Sequence, residues 1–167
     1  MQKDTIKRIL IYCFMEKYSH WPFEVSGYKV TIENPENEWE IIMAAWKLYF
    51  TENMSDLVTD REYPGLHAVY YNYHDALDLK KKWYDMLIWY VTKTGAAQKD
   101  PRITTIEIPA QDYRYTILAD ISPESIFSAW STINNTPQSE LARNYGYDLD
   151  MYNETHTGMT IAVSVDE

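Results

Sequence analysis

The sequence predicts an α+β domain: two strand–helix–strand–strand units in tandem, with both helices on one face of an antiparallel sheet. Three observations predict it. The chain repeats itself. Tyr-Lys-Val-Thr-Ile (28–32), Asn-Pro-Glu (34–36), Ile-Met-Ala-Ala-Trp (42–46), Tyr-Tyr-Asn-Tyr (70–73) and Met-Leu-Ile-Trp-Tyr (86–90) recur in the same order. The second set is Tyr-Arg-Tyr-Thr-Ile (113–117), Ser-Pro-Glu (122–124), Ile-Phe-Ser-Ala-Trp (126–130), Asp-Met-Tyr-Asn (150–153) and Met-Thr-Ile-Ala-Val (159–163). The offsets fall from 85 (28 to 113) through 84 (46 to 130) and 81 (71 to 152) to 73 (86 to 159), as they do when the first copy carries longer loops. A period this long marks a duplicated supersecondary unit rather than a solenoid. Apolar spacing also switches between the period of a strand and that of a helix, and each helical stretch opens on a cap followed by Pro-Glu.

Residues 1–20 read as a helix. Asp4 serves as N-cap, and Ile6, Ile9, Leu10, Cys13 and Phe14 form one stripe. The run 9–15 fits a strand as well. With no counterpart in the second copy, residues 1–22 are an N-terminal extension to a single domain over 23–167. Its repeats span 23–94 and 101–167. Residues 25–32 alternate as a strand. Asn34 then caps a helix with Pro35 first and Glu36 next, where the helix dipole favours a carboxylate. Trp39, Ile42, Met43, Trp46, Tyr49 and Phe50 recur along it to about residue 52.

Residues 66–73 and 84–92 form a hairpin, because Val-Tyr-Tyr-Asn-Tyr (69–73) is rich in strand formers. The loop between them, with Lys80, Lys81 and Lys82, reads as a solvated tip. Gly95 to Arg102 connect the halves. Strands follow at 103–108 and 113–119. Ser122-Pro123-Glu124 starts a helix carrying Ile126, Phe127, Ala129, Trp130 and Ile133. Strands near 147–152 and 158–165 close the chain.

Composition narrows the function. The chain has 167 residues and a formal net charge of −10, which disfavours binding to nucleic-acid phosphates and suits cationic ligands. Fifteen Tyr and six Trp are more than is ordinary; such residues fill cores, and they also line ligand pockets and interfaces. The single cysteine, Cys13, forms no internal disulfide and points to the cytoplasm. No apolar run is long enough for a membrane span. His20, His67, His74 and His156 have no metal-ligand spacing, and no phosphate-binding glycine loop or nucleophile elbow is present. Neither a metal nor another cofactor is expected.

The residues resemble the GyrI-like small-molecule-binding domain, the effector-binding domain of many AraC- and MerR-type regulators, in its stand-alone form. The resemblance rests on the order of Phe-Glu-Val-Ser-Gly-Tyr (23–28), Ala45-Trp46, His-Ala-Val-Tyr-Tyr-Asn-Tyr (67–73), Ile-Pro-Ala-Gln-Asp-Tyr (108–113), Ala129-Trp130 and Asp-Leu-Asp-Met-Tyr (148–152). It implies a curved sheet and an aromatic pocket between the two halves, with a central acid that attracts cationic or lipophilic ligands. The family's acid is a glutamate two residues before a tyrosine; the matching position here is Asp150, one methylene shorter, before Tyr152. A residue that is commonly small in the family is here Trp89.

Strand alternation gives a second line on the same site. Asp150 and Tyr152 share a face. The repeat offset puts Tyr71, Tyr73 and Trp89 on the equivalent face of the first half, over the small residues Gly158, Thr160, Ala162 and Ser164. Trp46 and Trp130, on the apolar faces of the helices, fit core packing and pocket lining alike. Asp150 also fits a solvated strand acid or a partner for Arg114 or Arg143.

The expected function is a stand-alone binding protein for cationic or lipophilic small molecules that influences transcription or drug response indirectly, with no direct contact to nucleic acid or membrane. Two alternatives stay open. One is a hydrolase of reactive small molecules that uses the central carboxylate and tyrosines. The other is an acidic inhibitor whose partner is a DNA-handling protein.

Overall fold

The structure, a computed structural model, describes residues 16–19 and 21–166. Among the described residues, eight strands form one antiparallel sheet: β1 (Glu16–Ser19), β2 (Phe23–Ile32), β3 (His67–His74), β4 (Trp83–Val91), β5 (Ile103–Ile108), β6 (Asp112–Leu118), β7 (Asp148–Tyr152) and β8 (Met159–Val165). Two helices, α1 (Glu38–Thr51) and α2 (Pro123–Asn134), lie on one face. The strand order is β1-β6-β8-β7-β3-β4-β2-β5. It reads as two mirrored halves meeting where β3 pairs with β7, as the duplication requires.

One boundary differs from expectation. Residues 16–19, read as the end of a helix, form a strand on β6; the rest of that expected helix lies outside the described residues. β1 pairs with β6 as β5 pairs with β2. Each half therefore has its outer edge covered by the strand that precedes the other half. The end of the supposed extension is thus the counterpart of β5, and the repeat unit has one strand more than the sequence reading gave it. β1 and β5 are thus the two edge strands of the described sheet.

The local signals behave as their chemistry dictates. Asn34 Oδ1 accepts from the Glu36 N–H, but the first turn, Pro35–Asn37, is 3₁₀ before α1 begins. Ser122 Oγ accepts from the Ser125 N–H and caps α2. Ser122→Ala should lower stability by about 1 kcal/mol, or a Tm drop of roughly 2–4 °C. An unchanged melting curve would show that Asp120, which accepts from the Ser122 N–H and the Ser125 hydroxyl, holds this turn alone.

The core has two sides. Beneath the helices, Ile42, Ala45 and Tyr49 of α1 and Ile126, Ala129 and Ile133 of α2 pack on Met86, Ile88, Met159, Ile161 and Val163. The opposite face of the sheet buries Val69, Tyr71, Leu87, Trp89, Tyr113, Leu149 and Ala162. Gly27 is required where strands meet closely: a Cβ there would lie 1.8 Å from the Ile88 carbonyl oxygen. Among the described residues, no helix is long and apolar enough to cross a membrane.

Candidate functional site

A cavity of about 360 Å³ opens between α1 and α2. Its floor is Tyr70 and Tyr73 of β3 and Tyr84 of β4. Glu38, Trp39 and Ile42 form one wall, and Phe127, Trp130 and Ser131 the other. Trp39 and Phe127 meet edge to face at 5.7 Å and link the two helices. Leu79 and Lys82 close the side nearest the β3–β4 turn.

Strand irregularity makes the floor. The β3–β4 register shifts between Tyr71 and His74, and Asn72 sits at φ 55°, a conformation asparagine tolerates. Asn72 Nδ2 donates to Asp85 Oδ2 at 3.0 Å and ties the bulge down. The extra residue turns Tyr73 to the helix side. Tyr70 and Tyr73 therefore both face the cavity, three residues apart instead of two.

Asp150 lies directly behind this floor and is 1% exposed. Tyr70 donates its hydroxyl proton to Asp150 Oδ2 at 2.8 Å, and Trp130 Nε1 donates to Oδ1 at 3.1 Å. Burial pushes the carboxyl up to about 7; these two donors oppose the shift, and Asp148 adds a smaller upward push. Burial and the adjacent carboxylates raise Tyr70, Tyr73 and Tyr84 well above the ordinary tyrosine range, so all three phenols are neutral.

The second strand acid, Asp148, is fully neutralised. Its Oδ2 accepts from the Tyr73 hydroxyl at 2.8 Å and from Arg143 Nη2; its Oδ1 accepts from the Ser164 N–H at 2.8 Å and from Ser164 Oγ at 3.1 Å. Arg143 Nη1 donates to Asn134 Oδ1 at 2.8 Å. Arg143 is thus the partner of Asp148, not of Asp150.

Of the residues expected at the site, Asp150, Tyr73 and Trp130 come together. Tyr152 faces the helices but packs against Trp46 at 5.6 Å, and neither lines the cavity. Tyr71 and Trp89 lie on the opposite face of the sheet. There Tyr71 stacks on Tyr147 at 5.6 Å, and Trp89 contacts His67 and Phe23.

The reason is register. Opposed residues share a face, and β3 pairs Val69 with Leu149 and Ala68 with Asp150. Equivalent positions must therefore differ by an even number, whereas the offset from Tyr71 to Tyr152 is odd. The expected cage over small residues is corrected with it. Asp150 pairs with Ile161 and shares its face, while Ala162 and Ser164 are buried beneath other side chains.

The sequence reading missed Tyr70, Tyr84, Trp39, Phe127 and Glu38 as pocket residues. It also took Lys82 for a solvated tip. Lys82 is buried, 3.3 Å from Glu38 Oε1. Among the described residues, no group of His, Cys, Asp or Glu is placed to hold a metal ion.

The sequence profile of the integron-associated effector binding protein family, Cass2, matches residues 21–165. A comparison with curated proteins gives no match. Among solved structures, an integron cassette protein from the mobile metagenome of Vibrio cholerae superposes with a TM-score of 0.70 at 17% identity, covering 91% of this chain and 95% of that one. SAV2435 bound to tetraphenylphosphonium also gives 0.70, at 13% identity over 91% and 93%. The EcmrR C-terminal domain gives 0.62, at 12% identity over 92% and 97%. These superpositions establish a common fold, and the profile establishes the family: the chain belongs to the integron-associated effector binding protein family and has the GyrI-like small-molecule-binding fold.

Proposed function

We propose that this chain is an effector-binding module whose ligand is a lipophilic organic cation held between α1 and α2. One observation carries the reading. The cavity has the volume of a small-molecule site, is lined by six aromatic side chains, and has a buried carboxylate behind its floor. Asp150 accepts hydrogen bonds from Tyr70 and Trp130. The carboxylate enriches both rings in electron density, which strengthens their attraction for a cation stacked on them. SAV2435, of the same fold, is described with tetraphenylphosphonium bound, a lipophilic cation. The module would act in the cytoplasm and influence transcription or drug response through a separate partner.

The titration range of Asp150 favours one further reading, a hydrolase with Asp150 as general base. Its position disfavours it: Asp150 does not line the cavity and is reached only past Tyr70 and Trp130. An open aromatic cavity likewise favours ligand binding over a role as an acidic inhibitor of a DNA-handling protein.

Calorimetric titration of wild type and Asp150→Asn with tetraphenylphosphonium and with neutral triphenylphosphine oxide tests the reading. The variant should bind the cation about tenfold more weakly and the neutral compound within about twofold of wild type. Equal loss for both probes would show that Asp150 shapes the cavity without acting through charge. No binding by wild type would end the proposal.

A further inference from the structure

Lys82 ends the Lys80-Lys81-Lys82 run, yet it alone of the three is buried: its side chain is 6% exposed, against 75% for Lys81. Its ammonium lies 3.3 Å from Glu38 Oε1 and 5.4 Å from the centre of the Tyr84 ring. Tyr84 donates its hydroxyl proton to the same Glu38 oxygen. Glu38, Lys82 and Tyr84 all line the cavity. A carboxylate beside an aromatic face is the usual receptor for an organic ammonium or phosphonium group. Here that receptor is filled by the chain's own cation.

The charges around the cavity show the consequence. Asp148 is neutralised by Arg143 and Glu38 by Lys82. Of the other acids near the cavity, Glu36 is exposed at the rim and Asp150 is buried behind the floor. With Lys82 in place, a cationic ligand meets Coulombic repulsion at the spot best built to receive it. With Lys82 swung outward, Glu38 is left unpaired and attractive.

The two partners differ in mobility. Glu38 is the first residue of α1, where unpaired helix N–H groups favour a carboxylate, and Tyr84 fixes its oxygen from the sheet. Lys82 is a flexible stem at the end of an exposed turn. It is therefore the lysine that moves.

We propose that Glu38 and the Tyr84 ring form the cation subsite of this cavity and that Lys82 is its resident occupant, displaced when a monovalent organic cation binds. This rests on the ligand reading above and adds a residue that sets the threshold of response.

Two measurements test it. In calorimetric titrations, Lys82→Met should bind tetraphenylphosphonium about tenfold more tightly than wild type, with triphenylphosphine oxide little changed. In wild type, acylation followed by mass spectrometry should show Lys82 protected without ligand. At saturating tetraphenylphosphonium it should be labelled severalfold faster, with Lys80 and Lys81 unchanged. The labelling experiment needs no variant and decides the matter if Lys82→Met does not fold.

Equal or weaker cation binding by Lys82→Met overturns the inference, as does a Lys82 that stays protected at saturation; either leaves the ligand reading standing. Cation binding by Lys82→Met but not by wild type supports the inference and removes the ligand reading for the native chain. Binding by neither protein overturns both.

Discussion

Arg143→Met should destabilise the protein by about 3–5 kcal/mol, lowering Tm by roughly 10 °C, because it strands a buried carboxylate. Asp148 is fully buried and its hydrogen-bonding capacity is used up by Arg143, Tyr73 and Ser164. Methionine fills much of the volume but leaves Asp148 with neutral donors only. Arg143 also holds Asn134, at the end of α2, and lies over the Tyr145 ring at 4.4 Å. The change therefore loosens the Asn134 wall of the cavity as well as β7. Urea unfolding measures the loss. Adding Asp148→Asn should recover part of it, since an amide carbonyl still accepts from Ser164 and no charge stays buried. A loss below about 1 kcal/mol would mean that Asp148 takes up a proton or reaches water when Arg143 is gone.

The elements were legible in the sequence because their signals are local. Asn34, Pro35, Ser122 and Pro123 mark helix starts by their own backbone chemistry, and period-two runs mark strands. What was not legible is non-local. β1 joins β6 across the whole first half, so nothing within residues 16–19 announces a strand. The pocket floor depended on one parity. A repeat aligned by Tyr71 and Tyr152 slips by a residue, and such a slip exchanges the two faces of a sheet.

The bulge at Asn72 then restores Tyr73 to the cavity side, which strict alternation from Tyr71 denies. Lys82 shows the same limit. A lysine run reads as solvated until a distant partner, here Glu38 at the start of α1, is known to lie beside it. Tyr70 was within reach: it stands in the aromatic run next to Tyr71, and the even offset selects it.

Cation binding should depend steeply on pH, and the sign follows from Asp150. Its carboxyl is raised from 3.8 to about 7 by burial in the folded protein. A bound cation favours the ionised form, so binding below pH 7 must expel a proton. Affinity for tetraphenylphosphonium should rise with pH, level off above about 8, and fall by about tenfold at pH 5, the loss that the neutral Asp150→Asn side chain also gives. Triphenylphosphine oxide should show no such slope.

Folding carries the opposite sign. A carboxyl with a raised folded-state pKa contributes stability that is fully present below the unfolded value near 4 and is lost as pH rises through 7. The ligand-free protein should therefore lose this contribution over the interval in which cation binding strengthens. Removing the titrating group separates Asp150 from every other group: Asp150→Asn should flatten the binding profile and take the Asp150 contribution out of the folding profile, leaving the opposite slope of buried His67, whose pKa burial lowers to about 4. A cation profile in Asp150→Asn as steep as in wild type would assign the proton to another group and remove Asp150 from the site. A flat binding profile, together with loss of the Asp150 slope from the folding profile, would show that one buried carboxylate weakens the empty protein near neutral pH and attracts the ligand there, so the strain of an unpaired charge in the core is relieved by the molecule that the cavity receives.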